Sequence, residues 1–409
     1  MEATPARERL FDDSGNKFKI SDRTELLRSA VIYGGNASGK SNFIKALATM
    51  KGFVLSSHLF LEGQDFPYYQ PFILNTVNLH YPVLMECTYL HEGIIYRYGF
   101  EFKQARIEKE WLYIKKKRET KVFERSGGEF DITPKCTILL DLYQKNMIRK
   151  NVLMLSAGAQ FNETIAASAL SWFNKLRVIS GLLDILYRDF TRSMLTDPAK
   201  KSAVIKLLKF ADSGIRGLKV KKTETPVTEF TFHTHKVEEP HVVQKKAPIP
   251  ELESYRYQKL PTGAAKMIAV PFTLFESEGT QKLFHLAGPV LDSLENGLIL
   301  VIDEFDVKLH PHLQERLVLM FHNNNLNKNN AQLIFTTHNT HLLGRKIFRR
   351  DQVWLTERDI HEGTKIYSPI EFKDGKSPRN DERFEKNYND GKYGGVPFLG
   401  EFDNYLEGE

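Results

Sequence analysis

The stretch Ala30-Val31-Ile32-Tyr33-Gly34-Gly35-Asn36-Ala37-Ser38-Gly39-Lys40-Ser41-Asn42-Phe43-Ile44 decides the fold. Leu26 to Tyr33 ends in a short apolar, partly β-branched run, and Asn42-Phe43-Ile44-Lys45-Ala46-Leu47 has helical spacing. The segment therefore predicts strand, loop and helix in immediate succession. The loop has the pattern Gly34-x4-Gly39-Lys40-Ser41, in which glycine permits a tight turn and backbone N–H groups cradle phosphate oxygens. The expected nucleotide contacts are Gly34, Asn36, Ala37, Ser38, Gly39, Lys40, Ser41 and Asn42, with Lys40 reaching the β and γ phosphates and Ser41 binding Mg2+. ATP and Mg2+ are the implied cofactors.

A second strand carries the complementary chemistry. Leu298-Ile299-Leu300-Val301-Ile302 is a continuous apolar run, as in a buried parallel strand, and it ends in Asp303-Glu304. Successive side chains on a strand diverge, so the two carboxylates can hold different tasks. Asp303 is expected to hold magnesium and Glu304 to polarise the water attacking the γ phosphate. Gln332-Leu333-Ile334-Phe335-Thr336 is another such strand, and His338 follows it, placed either to sense the γ phosphate or to serve as a polar end-cap. Ser277-Glu278-Gly279-Thr280-Gln281 opens a helical stretch, where a serine and a glycine can bind phosphate or simply start a helix.

Between these motifs the patterning divides the 409 residues into four parts. Residues 1–66 hold the glycine loop. Residues 67–160 alternate apolar and polar positions, as in Val83-Leu84-Met85-Glu86-Cys87-Thr88-Tyr89 and Ile94-Ile95-Tyr96-Arg97-Tyr98-Gly99-Phe100, and predict antiparallel strands. Residues 161–256 form a helical insert, with Trp172, Phe173, Leu176, Leu182, Leu183, Ile185 and Leu186 marking buried faces. The insert closes in a polar, proline-containing stretch over 222–256, a loop or strand pair with a mobile connection. Residues 257–409 return to alternating helices and strands. The expected fold class is α/β, with a mixed sheet interrupted by a long insertion of antiparallel strands and helices.

The chain is long enough to bury a substantial core, and 41% hydrophobic with 26% charged residues is the balance of a soluble globular protein. No run approaches the roughly 18 to 20 apolar residues of a membrane span, and the N-terminus lacks a signal-peptide core, so a cytoplasmic protein is expected. Cys87 and Cys136 have no ligand-spaced neighbours and are expected to be reduced, buried thiols. His233-Thr234-His235 with His241 lack a carboxylate or helical pairing and fit surface histidines better than a metal site. His310 and His312, flanking Pro311, are expected to shape the loop after the acidic strand. A net charge of +6 is weaker than that of a dedicated nucleic-acid module, yet Lys115-Lys116-Lys117-Arg118 is a local cluster that suits either a solvated hairpin or a phosphate contact.

In their order, these elements resemble the ABC-type ATPases, the class of SMC proteins, RecF and the OLD-family nucleases. The resemblance assigns Ser277, Gly279 and Gln281 to the signature motif, Asp303-Glu304 to the Walker B pair, His338 to the switch histidine and Asp306 to the D-loop. Gln70 is its candidate for the Q-loop metal ligand. A closer resemblance, covering nearly the whole chain, is to prokaryotic AAA-type ATP-binding proteins of abortive-infection loci. It is carried by the glycine loop, Gln70-Pro71-Phe72-Ile73-Leu74, Tyr96-Arg97-Tyr98-Gly99-Phe100, Ala211-Asp212-Ser213-Gly214-Ile215, Leu309-His310-Pro311 and Tyr393-Gly394-Gly395-Val396-Pro397-Phe398. The chain begins late relative to such proteins, so one sheet edge is expected to be missing or supplied otherwise.

The resemblance implies a homodimer or higher oligomer, with ATP sandwiched between the loop of one copy and Ser277 and Gly279 of another. It also implies a separately encoded effector, a TOPRIM-like or RloB-like nuclease, gated by ATP binding and hydrolysis. The chain ends about 70 residues after His338, too few for an appended nuclease domain of ordinary size. The alternatives are a RecF/SMC-like ATPase of DNA repair or maintenance, and a non-hydrolysing scaffold that binds ATP and cages a toxin or nuclease.

Overall fold

A computed structural model describes residues 1–3, 14–22, 24–211, 213–231, 241–344, 347–371 and 383–397, apart from the side chains of 222–231 and 241–249. Strands β1 (Lys17–Ser21) and β2 (Thr24–Leu27) make an antiparallel ribbon. Next comes β3 (Ser29–Gly34), buried along its whole length, and then α1 (Lys40–Ser56). An antiparallel meander follows, with β4 (Val83–His91), β5 (Ile94–Lys103), β6 (Arg106–Lys115), β7 (Glu119–Ser126) and β8 (Glu129–Ile132) adjacent in chain order.

Helices α2 (Thr137–Gln144), α3 (Met154–Gln160) and α4 (Thr164–Lys175) cover the meander and lead into β9 (Leu176–Ser180). An aromatic core joins the meander to α1. The Phe53 ring lies 4.6 Å from Phe66, 5.2 Å from Phe100 and 5.0 Å from Phe102, and Tyr89 stacks on Trp172 at 4.3 Å. Edge-on and tilted ring pairs of this kind add to the apolar area they bury.

Two sequence expectations fail near residue 180. Leu176 begins a strand, because Leu176, Val178 and Ile179 form a β-branched, apolar run that pairs with the buried strand at Ile299–Asp303. Leu182, Leu183, Ile185 and Leu186 mark no buried face, being 63, 56, 56 and 70% exposed. Their apolar spacing falls on a bend and the single short turn Asp184–Tyr187, which is too brief to bury one side.

Beyond this point lie α5 (Arg188–Met194), α6 (Pro198–Phe210), β10 (Gly217–Thr231), β11 (His241–Lys259), β12 (Ala265–Pro271), α7 (Phe272–Phe275) and α8 (Glu278–Asn296). Asp197 caps α6 by accepting from the amides of Ala199 and Lys200, ahead of Pro198 in the first turn. Within 222–256, residues 222–231 and 241–256 belong to a strand pair, in which β10 and β11 run antiparallel in continuous register from Gly217↔Tyr255 to Thr231↔His241. Leu182–Ser293 and Val307–Gln314 form one compact unit, and Met1–Gly181, Leu294–Asp306 and Glu315–Glu409 form the other.

The remaining elements are β13 (Ile299–Asp303), α9 (Pro311–His322), β14 (Gln332–Thr336), α10 (His341–Gly344), β15 (Val353–Arg358), β16 (Thr364–Tyr367) and α11 (Phe384–Asn389). The main sheet has the order β16-β15-β3-β14-β13-β9, parallel throughout except for the antiparallel edge strand β16. The fold is α/β with a mixed sheet and a separate antiparallel region, as the patterning predicts. Ile44 on α1 packs with Ile32, Leu176 and Val301 of the sheet, so the helix after the glycine loop has one face on the sheet and the other on the meander. Parallel register brings the C-terminal ends of β3, β14 and β13 side by side, the place where open α/β sheets hold ligands. Among the described residues no helix is long and apolar enough to cross a membrane.

Candidate functional site

The glycine loop closes the end of β3. Gly39 stands at φ 100°, a left-handed conformation that a side chain disfavours, and its carbonyl receives the amides of Asn42 and Phe43 at 3.0 and 3.2 Å. Ala37, at φ 60°, completes the turn, and the Ser38 amide donates to Gly35 O at 3.2 Å. Asn36, Ala37 and Asn42 are exposed, Ser41 is half-buried in the first turn of α1, and Ser38 is buried. The amides of Lys40 and Ser41, ahead of those of Asn42 and Phe43, open the helix, where backbone N–H groups face an incoming anion.

Lys40 is buried, and its ammonium donates to Gly34 O at 2.8 Å and Gly35 O at 3.0 Å. Burial pushes its pKa down, while the charges of Asp303, Asp306 and Glu304 oppose the shift, so the carboxylates lie within electrostatic reach of this ammonium.

Asp303 ends β13, and Glu304 follows at φ 51°, an uncommon conformation for a non-glycine residue and a form of local strain. One hydroxyl holds both. Thr336 Oγ1 donates to Asp303 Oδ1 at 2.6 Å and accepts from the Glu304 amide at 2.7 Å. The Phe305 amide returns to Thr336 O at 3.0 Å. Asp306 Oδ2 accepts from the His338 amide at 3.2 Å. His338 itself is exposed at the rim, with its pKa lowered by partial desolvation and by Lys40 against the pull of Asp306, Glu304 and Asp303. Tyr33 reaches from β3 to Asn339 O at 3.0 Å, linking the glycine loop's strand to the segment that carries His338. Lys40, Asp303, Glu304, Asp306 and His338 thus share one electrostatic site.

Sequence reading missed the side chains that brace this site. Thr356 Oγ1 lies 2.7 Å from Ser38 Oγ and donates to Tyr33 O at 3.2 Å, and Arg358 Nε donates to Ala37 O at 2.6 Å. Both come from β15, more than 300 residues along the chain from the atoms they hold, and no local motif announces them.

The signature candidates belong to the other unit. Ser277 caps α8, accepting from the Thr280 amide at 3.3 Å, and Gly279 lies under Lys308 O. Gln281 turns its side-chain amide inward, donating to Thr273 O at 3.1 Å and Glu276 O at 2.9 Å, so it braces the turn. The buried Glu276 carboxylate accepts from Ser254 Oγ at 2.6 Å and Arg256 Nε at 3.0 Å, which ties the same turn to β11.

Gln70 is exposed in the irregular stretch after Phe66. Lys115 ends β6, and Lys116, Lys117 and Arg118 form the exposed turn to β7. His310 Nδ1 accepts from the His312 amide at 3.2 Å at the start of α9. Cys87 and Cys136 are free thiols, with burial raising each pKa to about 11; Cys136 is buried and Cys87 is half-buried. His233, His235, Asp212 and Phe398 lie outside the described residues, as does the side chain of His241. Among the described residues no group of three or more His, Cys, Asp or Glu side chains could hold a metal ion.

A glycine loop between a parallel strand and a helix, with a strand-end acidic pair two strands away, defines the P-loop class of α/β ATPase domains. The chain belongs to the family described as "AAA domain, putative AbiEii toxin, Type IV TA system", which matches residues 29–138 and 238–344, just over half of its length. Among solved structures it is similar to the SMC head domain from Thermotoga maritima, at 14% identity and a TM-score of 0.38, over 86% of this chain and 95% of that one. No curated protein matches the chain.

Proposed function

We propose that the chain binds ATP with Mg2+ in the Gly34–Ser41 loop and hydrolyses it, and that two copies closing around ATP gate a separately encoded effector in anti-phage defence. The observation that carries this reading is the convergence of Lys40, Asp303, Glu304, Asp306 and His338 at the ends of three adjacent strands.

Lys40 rests on two backbone carbonyls, and a triphosphate would draw its ammonium onto the β and γ oxygens. The exposed Asn36 and Ala37 and the amides at the start of α1 would cradle the same phosphates. Ser41 and Asp303 suit Mg2+, which prefers oxygen donors and binds through one or two carboxylates together with substrate phosphates. When bound, the ion would offset charge on the β and γ oxygens. Thr336 leaves Asp303 Oδ2 available to that ion and fixes the Glu304 backbone, so the Glu304 carboxylate can orient the attacking water as general base. His338 would stabilise charge on the γ phosphate from the rim. Ser277 and Gly279 would meet the γ phosphate of the other copy, with Gln281 holding their turn.

The family description names a toxin and a type IV toxin–antitoxin system, which supports the effector reading, and a TOPRIM-like or RloB-like nuclease is the partner we propose. Replacing Glu304 by Gln tests the catalytic assignment. ATP affinity should stay at the wild-type value while turnover falls at least about 100-fold. Wild-type turnover would remove Glu304 from this role. Lys40→Ala should abolish ATP binding in calorimetry, and unchanged affinity would remove the loop from it.

A second reading, a DNA-maintenance ATPase, draws on the exposed turn Lys116–Arg118. It requires ATP-dependent duplex affinity that falls steeply with salt, and the affinity should drop when Lys115 to Arg118 are replaced by serine. Salt-independent or absent DNA binding would end it.

A further inference from the structure

The motif Tyr393-Gly394-Gly395-Val396-Pro397 lies on the glycine loop. A Cβ added to Gly35 would sit 3.2 Å from both Cα and N of Pro397, which are backbone atoms that cannot swing aside. Gly35 does not occupy the left-handed region, and the P-loop pattern accepts any residue at its position. A side chain there would press on the motif, which would have to give by a few tenths of an ångström, while the turn itself does not demand glycine.

The motif is itself anchored at several points. Tyr388 on α11 donates its hydroxyl to Gly395 O at 2.9 Å, and its ring lies 5.6 Å from that of Tyr33 on β3. Tyr367 on β16 donates to Tyr393 O at 3.0 Å and lies 3.1 Å from Glu357 Oε2. Gly394 sits against that Tyr367 hydroxyl and Gly395 against Leu355, both at positive φ, so the segment is bent tightly onto the end of the sheet. The residue it covers matters because the Gly35 carbonyl, with that of Gly34, is the resting place of the Lys40 ammonium.

We infer that Tyr393–Pro397 is a positioning strap of the nucleotide site. It sets the Gly34–Gly35 backbone on which Lys40 rests, and so sets the geometry from which Lys40 reaches the β and γ phosphates. Tyr388 holds the segment through Gly395, and Gly35 is where the segment meets the loop. This inference rests on the ATP-binding reading of the loop and adds a second determinant of affinity, drawn from the far end of the chain.

The test is calorimetric titration of full-length protein with a non-hydrolysable ATP analogue, comparing wild type, Tyr388→Phe, Gly35→Ala, the double variant and Lys40→Ala, with ligand-free melting temperatures alongside. A hydrogen bond from a charged group is worth about 1.5–3 kcal/mol, so weakening the reach of Lys40 to the phosphates should cost each single variant about tenfold in affinity. Ligand-free melting temperatures should stay within about 5 °C of wild type, because losing the one buried hydrogen bond from Tyr388 to Gly395 O costs only about 1–3 kcal/mol in a chain of this size. The double variant should bind no more weakly than the weaker single one, since both act on the loop through the same segment. Wild-type affinity in Gly35→Ala, or additive losses in the double variant, would overturn the strap even if Tyr388→Phe were weakened through instability. Normal affinity in Lys40→Ala would instead remove the ATP reading of the loop.

Discussion

Thr336 is the residue on which the acidic pair depends. It binds Asp303 through one side of its hydroxyl and the strained Glu304 backbone through the other, and both partners lose a hydrogen bond if it is removed. Leaving such groups unsatisfied costs about 1–3 kcal/mol, so Thr336→Val should lower ATP turnover roughly 10- to 100-fold. Thr336→Ser should restore most of it, and a Val variant at wild-type rate would contradict this role.

His322 makes a separate prediction about stability. Its Nε2 lies 2.8 Å from Ser29 Oγ, its Nδ1 has no hydrogen-bond partner among the described residues, and burial, aided by Arg28, pushes its pKa down to about 3. The folded chain thus holds this ring neutral, whereas the unfolded chain protonates it below about pH 6.5. The contribution is whole above pH 6.5 and is lost as pH falls toward 3, by up to about 1.4 kcal/mol per unit. Urea midpoints should drop between pH 7.5 and pH 5, and His322→Asn should flatten that drop. Identical slopes would rule the effect out. Gly34 to Ser41, Asp303 and Glu304 are legible in sequence because each motif is contiguous. Thr356, Arg358 and Thr336 are not, because their partners are remote in sequence and any threonine or arginine on a strand reads the same.

At the scale of elements, α1 is the junction of the fold, with one face on the parallel sheet and Phe53 among the rings of the meander. Phe53→Ala should cost about 3–5 kcal/mol in denaturant unfolding. A loss below about 1 kcal/mol would show that the meander and the loop helix do not share a core. Strands and their type are legible where alternation or an unbroken apolar run extends over several residues, as at Val83–His91 and Ile299–Asp303 respectively. It misleads at Leu182 to Leu186, where apolar residues recur at helical intervals but the chain makes only a short turn and leaves them exposed. The strap Tyr393–Pro397 is visible as a motif, yet its place on Gly35 follows only from three-dimensional packing.

For the whole molecule, the α/β class and the interruption of its sheet follow from the order of the motifs. The sheet's strand order does not, since β3 pairs with strands about 300 residues later. The proposed cycle requires the loop of one copy and Ser277 of another to share one ATP, which makes oligomeric mass the most direct readout. Light scattering on Glu304→Gln with ATP and Mg2+ should give at least twice the mass seen with ADP, and Ser277→Arg added to that variant should abolish the increase. The same mass with ATP, ADP and no nucleotide would contradict closure of two copies around ATP.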